Sequence, residues 1–321
     1  MNRGFILVTG ANGFVGHPLC KTLLNLHYKV RGVARSGRGT LTDIESIEID
    51  GINSETFWGN ALTECSHIIH LAARVHVMND DMADALKQYR KVNVEGTLHL
   101  AMQAAVAGVK RFIFISSIKV NGESTALGVP FHADSSPNPL DPYGVSKLEA
   151  EEGLKKIALL TGMEVVIIRS PLIYGPGVKA NFRLMMNWLW KGVPLPLAGI
   201  TKNRRSFVFI DNLVDLIIAC IQHPVAANET FLVSDDDDMS TTGLLELMTL
   251  ALKTPPKLFK VPAVLIKLGA TIIGRPDISQ RLCSSLQVDI KKTKDLLGWS
   301  PPVSVEEGLR KTADHFLKMQ P

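Results

Sequence analysis

The first twenty-six residues constrain the fold more than any other stretch. Gly4–Thr9 (Gly-Phe-Ile-Leu-Val-Thr) is a short apolar run of strand formers, and it leads into Gly10-Ala11-Asn12-Gly13-Phe14-Val15-Gly16. Val15, Leu19, Leu23 and Leu26 then fall on one side of a helix. Strand, glycine turn and helix in this order let backbone N–H groups approach a pyrophosphate that rests on the helix N-terminus. The spacing is G-x-x-G-x-x-G, not G-x-G-x-x-G, and a turn that merely links strand to helix would look similar. Its place at the first strand–helix junction favours a dinucleotide site built from Gly10, Asn12, Gly13, Phe14, Val15 and Gly16.

The alternation continues. Strand-like runs lie at Tyr28–Arg35, Ile44–Ile49, His67–Ala72, Arg111–Ser117 and Glu164–Ser170, with helix-compatible segments between them, Asp84–Val106 the clearest. This pattern predicts an α/β fold, a doubly wound parallel sheet covered by helices on both faces. Ligands then bind outside the carboxyl ends of the strands, where Leu71-Ala72-Ala73 and Ser116-Ser117 fall. At the end of the second strand an NAD site usually places Asp or Glu on the ribose hydroxyls. Here no acid precedes Asp43, and the run reads Arg35-Ser36 with Arg38 behind it. Solvated loop arginines would read the same way, but the missing carboxylate favours NADP(H), with NAD(H) as the alternative.

Tyr143 and Lys147 are four residues apart on a helix begun by Asp141-Pro142, as N-cap and first-turn proline. They therefore lie on one face, where an ammonium would lower the pKa of a phenol. The helix follows Ser117, on the same sheet edge as the glycine turn.

After Glu164–Ser170, the run Pro171-Leu172-Ile173-Tyr174-Gly175-Pro176-Gly177 breaks the alternation, and the chain becomes richer in Pro, Trp and Arg. The expected division is a dinucleotide-binding domain at 1–176, with strands near 207–235 returning to it. A smaller C-terminal lobe would comprise 177–206 and 236–321. Phe207–Ile210 and Thr230–Ser234 look like those strands, the latter rejoining the main sheet. Asp235–Asp238 reads as a solvated turn before a Ser240-capped helix, and the histidines show no ligand spacing, so no metal is expected. His67 and His70 read as residues satisfied by backbone or packing. Phe259–Gly274 is apolar but interrupted by Lys260, Pro262 and Lys267, which suggests a buried helix of the small lobe and no membrane span.

A net charge of +4, dispersed along the chain, argues against a nucleic-acid partner. Cys20, Cys65, Cys220 and Cys283 show no paired spacing, and the chain opens directly on a strand-like run; both suggest a cytoplasmic protein with reduced thiols.

Assembled, these blocks resemble an extended short-chain dehydrogenase/reductase of the NAD-dependent epimerase/dehydratase group. The likeness runs nearly end to end. It comprises Thr9-Gly10-x-x-Gly13-x-x-Gly16, His70-Leu71-Ala72-Ala73, Asn93-Val94-x-Gly96-Thr97, Ser116-Ser117 and Tyr143-Gly144-x-Ser146-Lys147. Arg169 with Tyr174-Gly175-Pro176-Gly177, Arg205-Ser206-Phe207-Val208-Phe209-Ile210-Asp211 and Leu297-Gly298-Trp299-Ser300-Pro301 complete it.

The resemblance implies a Rossmann-type sheet and a triad of Ser117, Tyr143 and Lys147. Tyr143 would exchange a proton with a sugar oxygen, Ser117 would orient that oxygen, and Lys147 would hold the nicotinamide ribose. Asp50-Gly51 would meet the adenine, and Leu71, Ala72, Ala73, Asn93 and Pro171 would complete the cofactor site. Asn181, Phe182, Arg205 and a further arginine, Arg281 or else Arg275, would bind the diphosphate of a UDP-sugar. Relatives are often homodimers through the helices of Asp84–Val106 and Leu148–Leu160.

Sugar 4,6-dehydratases carry an acidic pair directly after the triad serine or threonine. Ile118 and Lys119 stand there, and family decarboxylases also need an acid in this region. What remains is C4 chemistry, as a one-way 4-ketoreductase or a reversible 4-epimerase. The run Ser116–Glu123 resembles a bacterial subgroup linked to surface polysaccharide synthesis that contains both. The loop after the second strand favours the reductase, acting on a UDP-4-keto-6-deoxy-hexosamine. A non-catalytic NADP(H)-binding sensor or assembly factor is a third reading, disfavoured because all three triad residues are kept.

Overall fold

Where a ligand can sit follows from the order of seven parallel strands. In the computed structural model, which describes residues 4–35, 44–75, 82–272, 274 and 276–320, nine strands are defined. They are β1 (Phe5–Thr9), β2 (Val30–Arg35), β3 (Glu45–Ile49), β4 (Cys65–His70), β5 (Arg111–Ser117), β6 (Glu164–Ser170), β7 (Leu172–Tyr174), β8 (Phe207–Phe209) and β9 (Thr230–Leu232). The main sheet runs β3-β2-β1-β4-β5-β6-β9, all pairs parallel. The chain winds outward in one direction from β1 and in the other from β4, so the crevice lies where these two strands part. This is the doubly wound sheet that the alternation predicts.

Alternate residues of each strand serve opposite faces. Ile6 and Val8 pack with Leu19 and Leu23 of the helix Gly16–Asn25 and with Leu213, Leu216 and Ile217 of the helix Ile210–Gln222. Leu7, Phe112 and Phe114 instead meet Leu100 and Ala104 of the helix Thr97–Val106 and Leu154 of the helix Pro142–Thr161. Burying each such side chain contributes roughly 1.5–3 kcal/mol. With both faces covered, a ligand is left the carboxyl ends of the strands, where β1 and β4 part.

A third core lies beyond β6. β7 and β8 form a separate parallel pair, and Tyr174 stacks on Phe182 at 5.5 Å between ring centroids. Around them pack Met186 and Leu189 of the helix Ala180–Trp190, Leu245 and Met248 of the helix Thr241–Ala251, and Leu309 and Phe316 of the helix Val305–Lys318. Thr230–Leu232 rejoins the main sheet beside β6, whereas Phe207–Phe209, among the described residues, pairs with β7 alone.

Three details differ from expectation. The helical region Asp84–Val106 is not uniform: α-helix at Met82–Tyr89 widens to a π-helix at Arg90–Gly96 and returns to α at Thr97. Asp235 is not on a solvated turn. It is buried, and its Oδ1 accepts from Phe209 N–H at 2.7 Å and from Asn212 Nδ2 at 2.7 Å, tying β8 to the helix that follows. The apolar stretch Phe259–Gly274 does contain a helix, Ala263–Ile272, but much of that helix is exposed. By contrast the Ser240 cap forms as expected, accepting from Gly243 N–H at 2.9 Å. All four cysteines are free thiols.

Candidate active site

Gly10 follows β1 with φ at +70°, a backbone region that favours glycine, and its N–H donates to Val33 O at 3.0 Å. A Cβ on Gly16 would lie 2.1 Å from Gly10 O, so only glycine lets the helix begin against the turn. That helix, Gly16–Asn25, has no side-chain cap and no acid in its first turn. His17 N–H donates to Gly13 O at 3.1 Å and Pro18 has no N–H, so what this helix start offers an anion is mainly the positive end of its dipole.

The turn forms one end of a cavity of about 890 Å³. Of the residues expected to bind cofactor, Gly10, Asn12, Gly13, Phe14, Val15, Gly16, Arg35, Asp50, Gly51, Leu71, Ala72, Ala73, Tyr143, Lys147 and Pro171 all line it, as does Ser117. Ser36 lies outside the described residues, as do Arg38 and Arg275. Asn93 is buried and does not line the cavity. Its Oδ1 accepts from Arg74 N–H at 2.8 Å, and its Nδ2 donates to Arg74 O at 3.1 Å and Ser146 Oγ at 3.0 Å. It therefore clamps the strand-end loop to the helix that carries Tyr143. Gln88 and Lys91, beside the π-turn, also line the wall and were not expected; only their spacing of three residues hints at a shared face.

His70 acts from beneath. Its Nδ1 lies 2.8 Å from Thr9 Oγ1 and its Nε2 3.0 Å from Thr97 Oγ1, while Ala72 N–H donates to Thr9 Oγ1 at 3.2 Å. Burial, and then the charge of Lys147, push its pKa down to about 3, so the ring stays neutral and structural.

The three residues expected as a triad, Ser117, Tyr143 and Lys147, all line this cavity. Ser117 is the last residue of β5, and its Oγ accepts from Lys119 N–H at 3.3 Å. Asp141 caps the helix Pro142–Thr161 as expected, accepting from Gly144 N–H at 2.6 Å, and its other oxygen takes Lys119 Nζ. Lys119 also holds Glu123 at 3.0 Å, so both of these carboxylates are engaged by one lysine. Burial raises the Tyr143 pKa above its ordinary value, and Asp141 and Tyr89 add to the shift. The expected lowering by lysine is not what governs this phenol.

Lys147 is buried, with Nζ donating to Ile115 O at 2.7 Å and lying 4.2 Å from the centre of the Phe114 ring. An ammonium has three donors, and ribose hydroxyls would take the others. Burial, opposed by Glu151, lowers its pKa to about 7. Since the unfolded lysine titrates near its ordinary 10.5, the unfolded chain holds more protons between pH 7 and 10.5, and stability from this group rises with pH across that window. Urea unfolding of the cofactor-free protein should therefore show Lys147→Met more stabilising at pH 7 than at pH 10. A pH-independent difference between the two proteins would refute this.

Four further expected residues do not line this cavity. Asn181 is exposed on the first turn of the helix Ala180–Trp190, and the Phe182 ring belongs to the third core. Arg205 and Arg281 are brought together: burial lowers the Arg205 pKa, and the charge of Arg281 lowers it further. Arg205 Nη1 donates to Ser284 O at 3.3 Å, and two neighbouring guanidinium groups would favour an anion near them.

Comparison with known proteins decides the family. Residues 6–234 match the family model of the NAD dependent epimerase/dehydratase family. The chain belongs to that family. A UDP-glucose 4-epimerase of Vibrio cholerae is 48% identical over 314 residues, covering 98% of this chain and 95% of that protein. This epimerase/dehydratase member is accordingly an enzyme of the extended short-chain dehydrogenase/reductase type. Solved structures share the fold. The UDP-glucose 4-epimerase of Thermotoga maritima, with UDP-glucose, aligns with a TM-score of 0.78 at 24% identity, covering 98% of this chain and 99% of that one. The UDP-glucuronic acid 4-epimerase of Bacillus cereus, in complex with UDP-glucuronic acid and NAD, aligns at 0.79 with 23% identity, covering 98% and 100%.

Proposed function

We propose that the protein is an NAD(H)-using UDP-glucose 4-epimerase. The observation that carries this reading is the 48% identity to the Vibrio cholerae UDP-glucose 4-epimerase across 98% of the chain. The one-way 4-ketoreductase and NADP(H), favoured on sequence, give way to the alternatives named beside them. Arg35 does line the cavity, but a family described as NAD dependent and an epimerase that regenerates its cofactor each turnover both argue for NAD(H).

The residues present suit the dinucleotide. The uncapped helix end and glycine turn would take the pyrophosphate, Asp50 and Gly51 the adenosine, and Lys147 the nicotinamide ribose. Bound there, the nicotinamide supplies a hydride acceptor and donor for C4. Tyr143 exchanges the proton of the C4 hydroxyl, and Ser117 hydrogen-bonds that oxygen and fixes its position. Arg205 and Arg281 bind the UDP diphosphate. Neither Ile118 nor Lys119 can take a proton from C5, so elimination of water does not compete.

A homodimer belongs to this reading. Val106, Leu159 and Leu160 are exposed at the ends of the two helices through which the resemblance implies pairing.

The purified enzyme should interconvert UDP-glucose and UDP-galactose without added nucleotide and release NAD on denaturation. Oxidation of NADPH only with a 4-keto sugar, and no interconversion, would establish the reductase instead.

A further inference from the structure

The helix Ala263–Ile272 presents an apolar face that nothing described in the structure covers. Val264 is 74% exposed, Leu265 55%, Leu268 56% and Ile272 77%. The spacing places these four along one side of a helix. The opposite side packs through Ile266 on the third core and against the helix Pro276–Cys283, which carries Arg281. Just before it, Phe259 is also exposed, between the exposed lysines Lys257 and Lys260. From Glu246 to Asp277 the sequence contains four lysines and Arg275, with no carboxylate between those two acids.

We propose that this face docks the enzyme on an anionic lipid bilayer. The helix would lie in the interfacial plane, with its apolar side chains among the acyl chains. Its flanking lysines would reach anionic headgroups while their stems stay on the apolar side. Among the described residues no helix is long and apolar enough to cross a membrane, and ten residues span only about 15 Å, so the contact is peripheral. Charge selects the occupant. A two-fold contact between copies would set the same patch against itself, lysine facing lysine, with no acid in the segment to offset the repulsion. A surface of anionic lipid offers apolar depth and opposite charge together.

Vesicle flotation of the full-length protein tests this. It should float with vesicles of phosphatidylcholine and phosphatidylglycerol, not with phosphatidylcholine alone, and about 0.5 M salt should weaken the binding. Leu265→Ser with Leu268→Ser should abolish flotation and leave turnover of soluble UDP-glucose unchanged. Lys257→Gln with Lys260→Gln should weaken vesicle affinity about thirtyfold. Absence of flotation with the anionic vesicles, or equal binding by both double variants and wild type, would overturn the proposal. So would a wild-type oligomer that the leucine pair disperses in the absence of any vesicle binding, because the face would then belong to a second copy.

Discussion

Replacing Tyr143 by phenylalanine should lower kcat at least ~100-fold while leaving nucleotide affinity close to that of the wild type. The substitution removes one oxygen and little else. Ser146 Oγ holds the backbone carbonyl of Tyr143 at 2.8 Å, and Asn93 holds Ser146, so the ring's position does not depend on its hydroxyl. What is lost is the proton carrier. Burial, Asp141 and Tyr89 keep the free phenol above its ordinary pKa, so at neutral pH it is protonated and suited to donate. Acting in the other direction requires positive charge, and Lys147, one turn along the same helix face, is a cation of this wall. Steady-state turnover of UDP-glucose beside a nucleotide titration separates the two effects. Turnover within tenfold of wild type would remove Tyr143 from the acid/base role.

How much of this was legible without coordinates depended on whether the cause was local. The glycine turn was readable because Gly10 and Gly16 are demanded by backbone conformation and close approach within seven residues. The Asp141 and Ser240 caps were readable for the same reason. Asn93 was picked out by resemblance, yet its work as a clamp depends on a π-turn, and nothing in the composition of Arg90–Gly96 marks where a helix will widen. Phe259–Gly274 looks like a buried helix in the sequence because hydropathy reports how apolar a segment is and says nothing of which surface it meets. Asp235 was read as solvated because an acidic run usually is; its partners, Phe209 N–H and Asn212, lie more than twenty residues away. The expectation of NADP(H) rests on the missing carboxylate and on Arg35, which does line the cavity, whereas Ser36 and Arg38 lie outside the described residues; the family's description as NAD dependent favours NAD(H) instead.

The largest feature that sequence could not show is a buried ion pair beneath the triad. Glu151 and Arg169 are 0% and 3% exposed and meet at 2.6 Å. Ser116 Oγ donates to Glu151 Oε1 at 2.5 Å, and Arg169 Nη1 donates to Asn121 Oδ1 at 3.0 Å. Glu151 lies one turn beyond Lys147, Ser116 precedes Ser117, and Arg169 lies two residues before Pro171. The pair thus ties together the three segments that carry the catalytic end of the cavity, with Ser116 and Arg169 already in register across β5 and β6. Glu151→Gln keeps the shape but strands a buried guanidinium, which should destabilise the protein by about 3–5 kcal/mol. Glu151 also opposes the lowering of the Lys147 pKa. Without that carboxylate Lys147 should lose its proton at lower pH, and the alkaline limb of the kcat profile should move down with it. Stability and charge can be separated. Glu151→Leu with Arg169→Met leaves no unpaired ion and should recover most of the lost stability, yet the displaced limb should persist because the carboxylate is still missing. If the double variant restored the pH profile as well, Glu151 would be a packing element alone and would have no electrostatic hold on Lys147.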